Sequence, residues 1–443
     1  MVEPAAVAST SPLRPISTVP WCQILVVVVF RIGAGRIVLA GVEDLLTRSR
    51  SAATVAQWVE VHRLAVAGRE SAIARRVGVR VARVWLRTSR FADVEALATA
   101  TLTLGPDAGA FYHLGWAQSA TGRPRPALNS YEQALRWYRA ADDHANEAAT
   151  LTSIGLAYNR LGDRRQALTY YEQALPILRE VGDRAGEAVT LNNTGLAYDG
   201  LGEWRQALTY YEQALPIRRE VGDRAGEAVT LNNIGGVYDG LGDRRQALGY
   251  FEQARPIARE VGDRAGEAVT LNNIGHVYAG FGEWRQALTY YGQALSTRRE
   301  VGDRAGEAVT LNNIGHVYAG FGEWRQALTY YEQALSTRRE VGDRAGEAVT
   351  LNNIASIRFQ EGDLDGARDA LREVLEVLRT VGDRGLEATV SFNMAVLLLR
   401  LERVADAIEY QRRAVALADE TSHPSLDGMR AFLVELEQQG RDR

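Results

Sequence analysis

The chain has 443 residues and a formal net charge of −4, from 51 basic against 55 acidic residues. Every basic residue is Arg, which excludes a phosphate-loop lysine, a kinase-type lysine and a Schiff-base lysine. Cys22 is the only cysteine, so no intrachain disulfide can form, which fits a reducing, cytoplasmic compartment.

The charge is uneven along the chain. Residues 1–104 carry 13 Arg against 7 acidic residues, while the remainder carries 38 against 48. An acidic remainder disfavours nonspecific binding to nucleic acid. Residues 1–50 contain no repeat. The first 20 are rich in Pro, Ser, Thr and Ala, a composition typical of disorder. Ile24 to Phe30 and Ile37 to Ala40 are apolar, but Arg31 and Arg36 interrupt them. A membrane helix needs about 20 apolar residues, and each central Arg costs about 2.5–3.5 kcal/mol. A short β-like or buried segment is therefore expected. A membrane segment and the remnant of a truncated upstream domain are the alternatives.

Residues 51–104 read as helical. In the stretch 69–88, Arg69, Arg76, Arg80, Arg83 and Arg87 recur at helical spacing. Ile73, Val77, Val81, Val84 and Trp85 form the apolar strip beside them. This reads first as a degenerate repeat or N-terminal cap with a solvated Arg face. The other reading is a surface for nucleic acid, a membrane or an acidic partner.

From residue 105 to 422 the chain repeats itself. The phrase VGDRAGEAVTLNN begins at Val181, Val221, Val261, Val301 and Val341. Val261–Glu300 and Val301–Glu340 differ only at Gly292 versus Glu332. A fixed period of this size signals stacked units. Each unit reads as two helices. Gly182 suits the left-handed end of one helix and Asp183 the N-cap of the next. Ala188, Leu191, Tyr198 and Leu201 recur at helical spacing, and Gly200 and Gly202 break the chain. Ala207, Tyr211, Ala214 and Leu215 mark the second helix, and Gly195 and Ala207 are small, as a close crossing requires. Neither helix is apolar all round, so stacking must complete the core. Steps of 40 residues from Gly115 to Ala395 give eight helix pairs. Pro176, Pro216 and Pro256 fall inside three second helices, where a bend is expected. The last two pairs are degraded, and residues 423–443 form a capping helix, about Ser425 to Gln438, and a tail.

The spacing Leu191, Thr194-Gly195, Tyr198, Gly202, Ala207, Tyr211, Ala214 resembles the tetratricopeptide repeat (TPR) signature. The longer period, the GDR-x-GE phrase and the Asn-Asn pair resemble the repeats of kinesin light chain and LGN-like adaptors. They also resemble TPR arrays of bacterial STAND regulators. The resemblance implies an all-α fold, a right-handed α-solenoid of stacked helix-turn-helix pairs, and a concave groove lined by the first helix of each pair. It further implies ligand contacts at positions matching Asn192, Leu196 and Asp199, with Asn193 at their edge.

Carried along the chain, this gives two rows, Asn192, Asn232, Asn272, Asn312, Asn352 and Asn193, Asn233, Asn273, Asn313, Asn353, Asn393. An Asn amide can pair with the backbone of an extended peptide. The same rows could instead be an inter-repeat ladder that aligns the stack. The position after the glycine varies through Leu156, Leu196, Gly236, His276 and His316, where side-chain selectivity could reside. The sequence contains no HExxH, CxxC, GxSxG or Walker A pattern. No catalytic residue, metal or cofactor is expected. The expected function is a non-catalytic scaffold binding a peptide or partner protein in the groove. The alternative is the sensor portion of a STAND-type regulator separated from its ATPase part.

Overall fold

The computed structural model describes residues 54–441, and the expectations for residues 1–50 lie outside them. Among the described residues the chain forms twenty α-helices and no strand. They divide into two compact units, the first ending at Gly202 and the second beginning at Glu203.

The first unit holds α1 (Val55–Ala67), α2 (Ser71–Arg87), α3 (Phe91–Leu102), α4 (Ala108–Ala120), α5 (Pro124–Ala140), α6 (His144–Arg160), α7 (Arg164–Glu180) and α8 (Arg184–Gly200). The second holds α9 (Trp204–Glu220), α10 (Arg224–Gly240), α11 (Arg244–Glu260), α12 (Arg264–Gly280), α13 (Trp284–Val301), α14 (Arg304–Gly320), α15 (Trp324–Val341) and α16 (Arg344–Glu361). It continues through α17 (Leu364–Val381), α18 (Arg384–Arg400), α19 (Val404–Glu420) and α20 (Leu426–Arg441). Each unit is an α-solenoid. A helix packs on its neighbours in sequence, and successive first helices touch, α4 with α6 and α6 with α8, then α10 with α12 and α12 with α14.

Short-range chemistry sets the helix ends. Gly182 and Gly262 take positive φ, +72° and +75°, which lets the chain reverse without a Cβ clash. Asp183 then accepts a hydrogen bond from the Gly186 amide at 2.9 Å, and Asp263 from Gly266 at 2.9 Å. Second helices that begin GDRR are capped likewise by Asp163 and Asp243, whereas those that begin GEWR have no side-chain cap.

Within a pair the helices meet ring against glycine. A Cβ on Gly275 or Gly315 would stand 2.8 Å from the ring of Tyr291 or Tyr331, and one on Gly235 would stand 2.6 Å from Phe251. All three rings are buried. Where the ring position holds Leu371 or Gln411, the glycine position holds Ala355 or Ala395. A second aromatic layer lies beside the crossing. Tyr158 stacks on Tyr170 with ring centres 5.4 Å apart, and Tyr278 on Tyr290 at the same distance.

Between pairs the joint is ionic. In four of the first helices, α8, α10, α14 and α16, a buried glutamate in the first turn is held by arginines from two elements. Arg179 donates to Glu187 at 2.7 Å, and Arg184 donates to its other oxygen. Arg299 and Arg304 hold Glu307 in the same way. Burial raises the Glu307 pKa, but its hydrogen bonds to Arg299 and Arg304 outweigh that and leave the carboxyl below the usual range. An acid in the first turn suits the helix dipole, but here it also ties one pair to the next.

Two expectations change. Val84 points outward and is exposed, so it does not belong to the apolar strip of α2. Arg69 precedes α2 in a left-handed turn at φ 56°, off the helical face shared by the other arginines. Helix α7 runs unbroken through Pro176, as α9 and α11 do through Pro216 and Pro256. These helices end one residue before the Ser-bearing copies, α13 and α15.

The core also carries an unusual charge. Arg298 is 5% exposed; its Nη1 donates to Thr310 Oγ1 at 2.9 Å and its Nε has no hydrogen-bond partner. Burial pulls its pKa down. Leu178 and Leu378 occupy the same repeat position.

Two predictions follow the packing. Gly275→Ala should destabilise the chain by about 1–3 kcal/mol through overpacking against Tyr291. Gly236→Ala, on the same helix type with open space around it, should stabilise by about 0.5–1 kcal/mol. Adding Tyr291→Leu to Gly275→Ala should recover part of the loss, as Leu371 beside Ala355 implies. Urea unfolding of the three variants checks this, and an unaffected Gly275→Ala would refute the crossing. Arg298→Leu should raise the melting temperature, because Asp303, its nearest carboxylate at 3.8 Å, is 36% exposed and stays solvated. A lower melting temperature would show that the guanidinium is a net stabiliser.

Candidate interaction surface on the first helices

Three positions of the first helix share one face at spacings of three and four residues. They are a valine, the first asparagine of the pair, and the residue after the glycine. The valines Val189, Val229, Val269, Val309 and Val349 are 37–45% exposed. Sequence reasoning missed this row because a valine inside a helix reads as core. The signal available was its position, three residues before an Asn that faces the same way.

The asparagines are less open. Asn192 and Asn272 are buried, and Asn232, Asn312 and Asn352 are half-buried. Asn272 Oδ1 accepts hydrogen bonds from Thr310 Oγ1 at 3.3 Å and Asn313 Nδ2 at 3.2 Å. Asn312 repeats this with Thr350 at 3.3 Å and Asn353 at 3.1 Å. Asn232 donates to Thr270 Oγ1 at 2.6 Å, and Asn352 accepts from Asn393 at 3.4 Å. Asn192 and Asn233 also have partners. Within the second unit the two rows therefore join one first helix to the next. Asn193 lines a cleft in the first unit, and Asn273 lies beside Asn272 on α12.

The residue after the glycine is exposed in His276 and His316. His276 Nε2 stands 3.4 Å from Asp239 Oδ2 on the preceding first helix. Among the described residues no group of three or more His, Cys, Asp or Glu could hold a metal ion. No helix among them is long and apolar enough to cross a membrane.

Two clefts open on this face, one in each unit. The first has a volume of about 310 Å³ and is walled by Tyr112, Trp116, Tyr131, Leu156 and Arg160. Tyr112 meets Trp116 edge to face at 6.0 Å, and Trp116 is 45% exposed. The second has a volume of about 250 Å³ and is walled by Asn352, Ser356, Phe359, Leu371, Phe392 and Val396. Of the residues expected from sequence to contact a ligand, Asn193 lines the first cleft and Asn352 the second; the aromatic walls carry no signal in the repeat pattern.

The basic face of α2 is present. Arg76, Arg80, Arg83 and Arg87 are exposed, and Arg80 lies over the Trp58 ring at 4.5 Å.

Family models described as tetratricopeptide repeat match residues 128–180, 146–220, 187–260, 266–340 and 346–420, with further matches at 312–376 and 108–140. The chain therefore belongs to the tetratricopeptide repeat family. No curated protein matches it. Among solved structures it is similar to a STAND protein with a tetratricopeptide repeat sensor from Pyrococcus horikoshii. There the TM-score is 0.57 at 15% identity, over 81% of this chain and 55% of that one. It is similar also to a Rap protein complexed with Competence and Sporulation Factor, TM-score 0.55 at 17% identity, over 82% of this chain and 98% of that one. The apo quorum sensor NprR from B. thuringiensis gives 0.54 at 18% identity, over 76% and 97%. At these identities the likeness is one of fold.

The Asn rows generate a prediction. Asn312→Ala removes the acceptor for two groups on the next first helix. At about 0.5–1.5 kcal/mol per hydrogen bond, the loss should be roughly 1–3 kcal/mol. Hydrogen exchange should report it at α14 and α16 before the rest of the second unit. Unchanged protection there would show that the ladder does not couple the pairs.

Proposed function

We propose that the chain is a non-catalytic scaffold that binds a peptide segment or partner protein along its first-helix face. The observation that carries this is the row of exposed valines. Val229, Val269, Val309 and Val349 contribute little to the core, yet the copies preserve them at a fixed step. A regular apolar row flanked by amides suits an extended or helical segment laid across several repeats. Asn272 and Asn312 spend Oδ1 on the neighbouring helix, so their amide groups would act from a fixed orientation. The proposed contacts are Asn192, Asn193, Asn232, Asn233, Asn272, Asn273, His276, Asn312, Asn313, His316, Asn352 and Asn353, together with the valines between them. A scaffold of this kind repeats its polar residues as it repeats its core, whereas an enzyme needs one asymmetric site.

Affinity capture by the intact chain and by Val269→Asp/Val309→Asp, compared by mass spectrometry, tests this reading. Both substitutions fall at exposed positions, so a thermal melt should show that folding survives. Partners retained by the intact chain should be lost from the variant. An identical set of captured proteins would place the contact surface elsewhere, with the arginine face of α2 next to be tried.

A further inference from the structure

In α6 to α14 and in α18 the last residue of the first helix follows a rule that the chain itself displays; in α4 and α16 the same repeat position is Ala120 and Gln360, which the rule does not cover. Where it is glycine, the first residue of the preceding second helix lies over it. In the first unit Arg164 lies against Gly200. In the second, Trp204 covers Gly240, Arg244 covers Gly280 and Trp284 covers Gly320; a Cβ on Gly240 or Gly320 would meet the indole at 3.5 or 3.4 Å. Where the covering residue is the shorter Pro124 or Leu364, the position holds Arg160 or Arg400 instead. The two arginines are thus left uncovered, and each stands at one of the two clefts.

In the first unit, Arg160 lines the cleft. Its Nη1 donates to the backbone oxygen and to Oγ of Ser119, both at 2.9 Å, which fixes the guanidinium plane. In the second unit, Arg400 stands over the ring of Phe359, a wall of the second cleft, at 5.8 Å. In both cases the arginine reaches back to the same repeat position of the preceding first helix. Neither forms an ion pair among the described residues, although the arginines at the joints between pairs are mostly held by carboxylates. An oriented guanidinium without a counter-charge, at the rim of an aromatic cleft, is suited to a carboxylate carried next to an apolar group.

We propose, building on the peptide-binding reading above, that each cleft takes an apolar side chain of an extended segment while Arg160 or Arg400 takes the side-chain carboxylate of an adjacent Asp or Glu. The aromatic walls bury the apolar group and the guanidinium pairs with the acid. In the repeats between, the last residue of the first helix is Gly in α8 to α14, and the residue before it is Asp199 or Asp239 in α8 and α10 and Ala279 or Ala319 in α12 and α14, so none offers a cation there. An acidic side chain is therefore favoured at the clefts and disfavoured between them. An internal residue rather than a chain terminus fits, because the valine and asparagine rows begin beside the first cleft, at Val189 and Asn192, and run up to the second, at Val349 and Asn352, so a segment seated in either cleft has further surface to follow on one side.

The test uses N-acetyl-Phe-Glu-amide, its isostere N-acetyl-Phe-Gln-amide, and N-acetylphenylalanine with its amide, titrated into the full chain by saturation-transfer NMR. The Glu probe should bind at least fivefold tighter than the Gln probe. Arg160→Met and Arg400→Met should each weaken that preference, the double variant should abolish it, and both should melt as the parent does. Equal binding of the Glu and Gln probes, or a preference that survives the double variant, would overturn the proposal. So would a preference seen only for free N-acetylphenylalanine over its amide, which would assign the arginines to a chain terminus. Binding of no probe also overturns it, and leaves the capture experiment with the valine variants to judge the scaffold reading separately.

Discussion

The helix pairs that set an aromatic ring against glycine depend on the absence of one methyl group. Tyr291 and Tyr331 pack their rings against Gly275 and Gly315 at a separation that leaves no room for a Cβ. This fixes how near the two helices lie, and so which side chains meet on either side. The aromatic pairs such as Tyr278 on Tyr290 can stack only at that separation. The chain also shows the compensation: Ala355 accompanies Leu371 and Ala395 accompanies Gln411. Side chain and backbone approach are exchanged together, as close packing demands.

A pair fixed this way still needs its neighbours, and the joints between pairs are more polar than the joints within them. Glu187, Glu227, Glu307 and Glu347 are buried carboxylates, each held by an arginine from the preceding second helix and another from its own first turn. Losing one arginine would leave a buried charge short of a partner, so these joints define one stacking register more than they add net stability. The Thr and Asn bonds between first helices act in the same direction. Coupling is therefore mostly nearest-neighbour, and stability within a unit is a sum over pairs and joints. With the core and the joints accounted for, the outward valines and the two uncovered arginines are the groups that folding does not use.

Much of this was legible in the sequence because it is local or periodic. The 40-residue step, the left-handed Gly182, the Asp183 cap and the Gly195/Ala207 crossing pattern all rest on interactions within a few residues or on repetition. Groups whose partners lie one repeat away were harder to read. Glu187 reads as a helix-dipole acid until Arg179 is placed beside it. Arg298 reads as a surface residue because arginine is rarely buried, and only the stack shows that it occupies the place of Leu178. The valine row escapes a sequence reading for the opposite reason, since an apolar residue in a helix suggests core. The clefts depend on residue pairs 36 positions apart, Pro124 with Arg160 and Leu364 with Arg400, and no periodicity reveals them.

Copying has a consequence for recognition. Two repeats that differ only at Gly292 and Glu332 present the same first-helix face, so a segment lying across them gains nothing by choosing one register over the next. Register has to be set where the copies diverge. Along the position after the glycine the chain runs Trp116, Leu156, Leu196, Gly236, His276, His316, Ser356 and Val396. The first three are apolar, and His276 stands beside an acid, Asp239. The uncovered arginines fall in pairs where this row is apolar, Leu156 with Arg160 and Val396 with Arg400. Selectivity, on this argument, lies with the divergent pairs, and the identical middle supplies a uniform surface over which a bound segment can extend.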